Sequence, residues 1–236
     1  MPKHTRFIAP TKRDENKRPK SLSTIIPVAG IGYRMKSYGP KCLLKVAENQ
    51  TIISRLIYNI NTVFSKEEII VCVGFEADKV MQNLPENVRV VENQKYEETN
   101  TTESLRLSLN NSISDSVLII HGDLVFNPAT IQNFDRTRSS VIVDSTGQIR
   151  DDETGVTVVN EQATFFAYGL PRKWGQIAYF VGEELNLLKK ICSDRNKSKM
   201  YTFEILNEII QNGGQFRSVE PRNMKIYEVD GLKDLR

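Results

Sequence analysis

Ile26-Pro27-Val28-Ala29-Gly30-Ile31-Gly32-Tyr33-Arg34-Met35-Lys36-Ser37-Tyr38-Gly39-Pro40-Lys41-Cys42-Leu43-Leu44-Lys45-Val46 joins a short apolar strand to a glycine turn carrying an arginine, with a lysine seven positions later behind a proline. Glycines let a backbone approach a phosphate chain closely, and their exposed N–H groups can cradle its oxygens. Arg34 and Lys41 add two cations where a triphosphate would lie. The segment reads as a site for a nucleoside triphosphate, with Val28, Ala29, Gly30 and Gly32 as its backbone wall. A dinucleotide turn would place a third glycine where Met35 stands. The Gly-Lys-Ser/Thr of a Walker-type phosphate loop is missing as well.

Outward from this segment, strands and helices alternate. Ser23–Ala29 reads as a buried strand. Thr51–Phe64 places Ile52, Ile53, Leu56, Ile57, Ile60 and Phe64 at helical spacing. Apolar strands are expected at Glu68–Phe75, Val88–Glu92 and Val117–His121, with helices at Ala77–Leu84 and Glu103–Ser112. Such alternation predicts an α/β fold with a mixed, mostly parallel sheet and helices on both faces. Beyond about residue 139 short strands follow at Val141–Asp144, Val156–Asn160, Thr164–Tyr168 and Gln176–Phe180. Helices are expected at Glu183–Cys192 and Phe203–Gln211, and a last strand at Met224–Val229.

Composition sets the outer bounds. The chain of 236 residues, 39% hydrophobic and 26% charged, suits one soluble α/β domain. No apolar run approaches the roughly 18 residues of a membrane span, and the N-terminus lacks a secretory apolar core. The three cysteines, Cys42, Cys72 and Cys192, have no metal-ligand spacing, and their odd number argues against a disulfide framework. The expected location is the cytoplasm. Residues 1–20 hold seven Lys or Arg against Asp14 and Glu15, so the net charge of +3 belongs to the tail. Residues 1–22 are therefore taken as a basic, solvated extension and 23–236 as one domain. The tail shows no aromatic interleaving, and no nucleic-acid partner is expected.

Gly30, Gly32, Arg34, Pro40, Lys41, Leu43 and Leu44 fall in register on a motif of the nucleotidyltransferases that activate sugar 1-phosphates and choline phosphate. The stretch resembles that family's opening, although Tyr33 replaces a small residue and Gly39 a threonine. The resemblance implies a Rossmann-related, GT-A-like fold and transfer of a nucleotidyl group from an NTP to a phosphomonoester. In those enzymes Arg34 would hold the departing pyrophosphate, and Lys41 would contact phosphates at the reacting centre. No hexapeptide periodicity follows, so the β-helical domain that some relatives append is not expected here.

Two carboxylates complete the resemblance. Strand 117–120 runs into His121-Gly122-Asp123, the strand-end position at which open α/β sheets place ligands. In the family, such a Gly-Asp supplies a ligand of the catalytic Mg²⁺, and Gly122 lies against the nucleotide. Tyr227-Glu228-Val229-Asp230 is similar to the family's ending, which makes Asp230 the second metal ligand and Asp234 a cap. Magnesium takes one or two carboxylates together with substrate phosphates. With only His4 and His121, no histidine triad or histidine metal cluster can be built.

The polar stretch 92–105 resembles the base and ribose wall of the choline phosphate cytidylyltransferase branch, and Gln94, Asn100 and Ser104 are carried over as nucleotide contacts. Amide side chains offer donor and acceptor to a base edge, and this branch favours CTP. Pro171-Arg172-Lys173-Trp174 either presents cations and an aromatic face to the acceptor, through Lys173 and Trp174, or forms an exposed turn. Glu204 is the acid expected near the alcohol part of the acceptor. The alternatives are a uridylyl-, thymidylyl- or guanylyltransferase for sugar 1-phosphates, a GT-A glycosyltransferase, and a non-catalytic nucleotide sensor. Against the glycosyltransferase, no Asp-x-Asp occurs in the chain.

Overall fold

The computed structural model describes residues 19–32, 39–132, 134–147, 149–231 and 234. Arg34 and residues 1–18 of the basic extension lie outside the described residues. In chain order the elements are β1 (Ser23–Pro27), β2 (Lys45–Ala47), β3 (Gln50–Thr51), α1 (Ile52–Val63), β4 (Glu68–Val73), α2 (Ala77–Met81), β5 (Arg89–Glu92), α3 (Thr101–Asn110) and β6 (Ser116–Ile120). Then come β7 (Leu124–Phe126), β8 (Ser140–Asp144), β9 (Thr154–Val159), β10 (Gln162–Tyr168), β11 (Arg172–Val181), α4 (Glu183–Ser193), α5 (Thr202–Gln211), β12 (Phe216–Val219) and β13 (Ile226–Glu228).

Neighbouring residues of the central strands enter opposite cores, as the period of two demands. Ile26, Val71 and Ile120 join Ile52, Ile53, Leu56 and Ile60 of α1 on one face. Ile25, Ile70 and Ile119 meet Leu105 of α3, Leu188 of α4 and Ile205 and Ile209 of α5 on the other. Each fully buried aliphatic side chain contributes about 1.5–3 kcal/mol, so both faces must be covered. Helices on both faces are therefore observed. α1 starts where Thr51 and Ser54 cap each other, Thr51 N–H donating to Ser54 Oγ at 2.9 Å and Ser54 N–H to Thr51 Oγ1 at 3.3 Å.

The nine-stranded sheet runs β5-β4-β1-β6-β11-β8-β12-β10-β9. The first four strands are parallel, whereas β11 is antiparallel to β6, β8 and β9, and β10 is antiparallel to β9 and β12. The expectation of a mostly parallel sheet is thus corrected to a mixed one. Its physical reason is the connections: a parallel return needs a long crossover, usually helical, and β9 to β11 are joined without helices. The β9–β10 hairpin closes through Asn160 and Glu161, both at positive φ (49° and 61°), as a two-residue turn requires.

Two further expectations change. Leu22 is only 1% exposed in the core, and Asp115 accepts from the Lys20 and Ser21 N–H groups at 2.9 and 3.0 Å. The chain therefore joins the body before residue 23, not after a solvated extension to 22. Pro171-Arg172-Lys173-Trp174 is not a turn, because residues 172–174 begin the long strand β11. Among the described residues, no helix is long and apolar enough to cross a membrane.

Burial pushes the thiols up, Cys42 to about 12, Cys72 to about 11 and Cys192 to about 12. Thiolate is the reactive form. A thiol-disulfide colour reagent at pH 8 should therefore label none of the three in the folded protein and all three after denaturation. Rapid labelling of the native protein would contradict this packing.

Candidate active site

The site forms at the C-terminal ends of the parallel strands. Val28 N–H donates to Cys72 O at 2.8 Å, and Asn93 N–H to Val73 O at 2.8 Å, so the segments leaving β1 and β5 stay against β4. Between them opens a cleft of about 230 Å³, walled by Val28, Ala29, Gly30, Gly32, Lys41, Asn100, Ser104, Gly122 and Asp123. Every described residue expected to meet the nucleotide is there except Gln94. That side chain is exposed and does not line the cleft. A strand-following residue alternates outward, and the inward neighbour is buried Asn93. Its amide nitrogen donates to Thr99 Oγ1 at 3.1 Å and Ser104 Oγ at 3.2 Å, and its Oδ1 accepts from Lys95 N–H at 3.0 Å. Tyr96, Thr99 and Thr101 complete this wall. Asn100 also caps α3, its Oδ1 accepting from Thr101 N–H at 3.0 Å.

Asp123 and Asp230 are brought together by a strand that sequence periodicity missed. β7 follows Asp123 directly and pairs antiparallel with β13, Leu124 opposite Glu228 and Phe126 opposite Ile226. Val229 N–H closes the ribbon onto Asp123 O at 2.9 Å. Lys41 reaches in from the turn after Pro40, its Nζ donating to Asp123 Oδ2 at 3.0 Å and to Asp230 Oδ1 at 3.1 Å. Asp234 does act as a cap, its Oδ2 accepting from the Asp230 and Gly231 N–H groups at 2.8 and 2.9 Å.

Charge is concentrated here. Burial works against the Lys41 ammonium, but Asp123 and Asp230 outweigh it and hold its pKa above the ordinary value. Burial likewise opposes the Asp230 carboxylate, and Lys41 reverses that and holds its pKa low. Glu228, first through burial and then through negative Asp123 and Asp230, is pushed up to about 8. It also accepts from the Gln176 amide. Asp123 Oδ1 is buried and takes no hydrogen bond from the described residues. An orphaned carboxylate oxygen beside a second aspartate is a hard-oxygen donor set suited to Mg²⁺. The residues fit the metal, although no group of three or more acidic, His or Cys ligands gathers among the described residues. His121 lines the same floor, where burial lowers its pKa; its Nε2 lies in a hydrogen bond of 2.9 Å with Thr202 Oγ1.

The acceptor residues expected from the sequence are placed differently. Trp174 is 2% exposed, packs edge-on to His121 and Phe166, and therefore backs the site without facing a ligand. Lys173 is tied to Glu153. Glu204 closes the start of α5, accepting from Tyr201 N–H at 2.7 Å. Two residues that sequence reading missed stand nearby. Arg150 is ion-paired to Asp230, and Tyr168 is half exposed, within electrostatic reach of Glu204, Glu228 and Asp152.

The fold, with a cleft at its strand ends, is that of the α/β domains solved for nucleotidyltransferases. The proteins that this chain is like bear out the resemblance. It is 26% identical over 232 residues to the bifunctional protein GlmU of Alkaliphilus metalliredigens, and spans about half of that relative, 48% of its length. Among solved structures it matches the CTP:phosphocholine cytidylyltransferase of Streptococcus pneumoniae (TM-score 0.71, 18% identity, 91% of this chain and 96% of that one). It also matches the inositol-1-phosphate CTP transferase of T. maritima (TM-score 0.75, 17% identity, 92% of each chain). No protein-family model matches the chain.

Gly122 fixes how β6 meets the turn after β1. A Cβ there would lie 2.1 Å from Val28 Cγ1 and 2.9 Å from Pro27 O. Gly122→Ala should cost about 1–3 kcal/mol by overpacking. Thermal unfolding checks this, and an unchanged melt would contradict the close approach.

Proposed function

We propose that the chain is a Mg²⁺-dependent nucleotidyltransferase that joins an NTP, CTP by preference, to a small phosphomonoester and releases pyrophosphate. The observation that carries this reading is Lys41 held by two strand-end aspartates at a cleft lined by the glycine turn and the polar wall of α3. A phosphate oxygen of the acceptor attacks the α-phosphorus, one P–O bond forms, and the bond to pyrophosphate breaks. Both reactants are anions, so the task is alignment and charge neutralisation. No general base is needed, because the attacking phosphate is already largely ionised near neutral pH.

Asp123 and Asp230 would hold Mg²⁺, which when bound supplies positive charge to the phosphate oxygens around the reacting phosphorus. Lys41 contacts those phosphates once its carboxylate partners are engaged. Arg34 takes the pyrophosphate, as the family motif implies. Gly30, Gly32 and Gly122 let the backbone approach the phosphates, and Asn93, Asn100 and Ser104 read base and ribose through amide and hydroxyl groups. Neutral His121 and the buried face of Trp174 keep the floor dry and fixed.

The acceptor side favours the phosphate ester of an ammonium alcohol. Exposed Tyr168 and Tyr201 flank Phe203, with ring centroids 5.4 and 5.9 Å from it. Aromatic faces with Glu204 and Asp152 in electrostatic reach suit a cationic head group. The competing reading is a polyol or sugar 1-phosphate, the acceptor class after which the T. maritima enzyme is named.

Pyrophosphate release should be measured with Mg²⁺, crossing CTP, UTP, dTTP, GTP and ATP with choline phosphate, ethanolamine phosphate, inositol 1-phosphate and sugar 1-phosphates. Turnover is expected with CTP and an ammonium-alcohol phosphate. Nucleotide binding without turnover on any acceptor would favour the sensor reading instead. Asp123→Ala should fold and lose about 10²–10³ in rate, and a folded variant with full turnover would remove Asp123 from the mechanism.

A further inference from the structure

Among the described residues two cations touch the aspartate pair, and the nucleotide cleft uses only one of them. Lys41 lines the cleft and holds Asp230 Oδ1. Arg150 takes the other oxygen, Oδ2, and is not part of the cleft wall. It arrives from the turn that leads into β9. Its Nη2 also lies 3.3 Å from Glu153 Oε1 and its Nε 3.4 Å from Asp152 Oδ1. That turn leads into Thr154, which lies opposite Tyr168 across the β9–β10 pairing. Lys173, the cation expected for the acceptor from sequence, is held by Glu153, the same carboxylate that steadies Arg150.

The guanidinium thus holds Asp230 Oδ2 while Lys41 holds Oδ1, and it lies outside the cleft wall. Its Nε is buried and, beyond the Asp152 ion pair, has no hydrogen-bond partner among the described residues. A guanidinium offers a planar fork matched to two oxygens of a phosphate. Any divalent cation that binds Asp230 competes with Arg150 for the same carboxylate charge, and a displaced arginine faces the acceptor side.

We propose that Arg150 is the positioning residue for the acceptor's phosphate: it occupies Asp230 in the resting site and turns to the phosphomonoester when a divalent cation claims that carboxylate. This rests on the nucleotidyltransferase reading given above. It assigns to one side chain two linked properties, competition with the metal and capture of the acceptor, and both can be measured separately.

The first measurement needs no turnover. Mn²⁺ alone is titrated into the wild type, Arg150→Gln and Arg150→Lys by calorimetry, with thermal unfolding as the control for folding. Loss of an exposed ion pair of this kind should tighten Mn²⁺ binding by about two- to fivefold in Arg150→Gln, with Arg150→Lys between it and the wild type. The second is steady-state kinetics on the acceptor found active in the pyrophosphate assay. Arg150→Gln should raise KM for the acceptor by about tenfold or more, as loss of a charge-assisted hydrogen bond does, and leave KM for the nucleotide unchanged. Arg150→Lys should recover part of the loss. Unchanged Mn²⁺ affinity, or KM rising equally for nucleotide and acceptor, overturns the role of Arg150 while the wild-type turnover stands. A wild type that neither binds Mn²⁺ nor turns over overturns both this role and the reading beneath it.

Discussion

One ammonium between two carboxylates organises this site. Lys41 is 17% exposed by its side chain and is in contact with Asp123 and Asp230 at once. In a partly buried cluster, removing one partner leaves the remaining charge poorly compensated. The three residues come from the turn after β1, the end of β6 and the end of β13. Each segment is therefore held where its charge is needed by the other two. The Pro40 position feeds Lys41 into a short 3-10 turn whose next residue, Cys42, is buried. A buried anchor beside an active cation restricts the lysine stem to one approach.

The same arrangement shows how a site rich in acids is held together. Burial, with the negative charges of Asp123 and Asp230 in reach, keeps a proton on Glu228 towards neutral pH. Positive charge is in demand at this point, whether it comes from Lys41, Arg150 or a metal. Such a site is stable only while cations balance its carboxylates.

The central sheet was legible because each strand is a short apolar run between polar breaks, and α1 because its isoleucines and leucine recur at helical spacing. Asp123 was marked by its position at the end of a buried strand, and its expected metal role came from the family resemblance. Asp230 was not so marked: a carboxylate near a chain end has many uses, and only the family resemblance singled it out. β7 escaped notice because Leu124-Val125-Phe126 is three residues long, and its partner lies far along the chain. Arg150 sits in Ile149-Arg150-Asp151-Asp152-Glu153, which reads as a solvated charge run. Trp174 misled in the other direction. A tryptophan beside two cations suggests an aromatic contact, but the strand turns that ring into the core. Long-range pairing and side-chain direction, not local pattern, decided these residues.

The β7–β13 ribbon gives the end of the chain a strict parity. Val229 is 0% exposed, while its neighbours Glu228 and Asp230 face the charged floor. An extended backbone alternates its side chains, so a frame shift of one residue within this ribbon would exchange the two sets. The valine would enter the polar floor, and a carboxylate would enter the oily layer beneath. Length in this ribbon is therefore countable only in pairs: two residues added or lost preserve the alternation, and a single one inverts it.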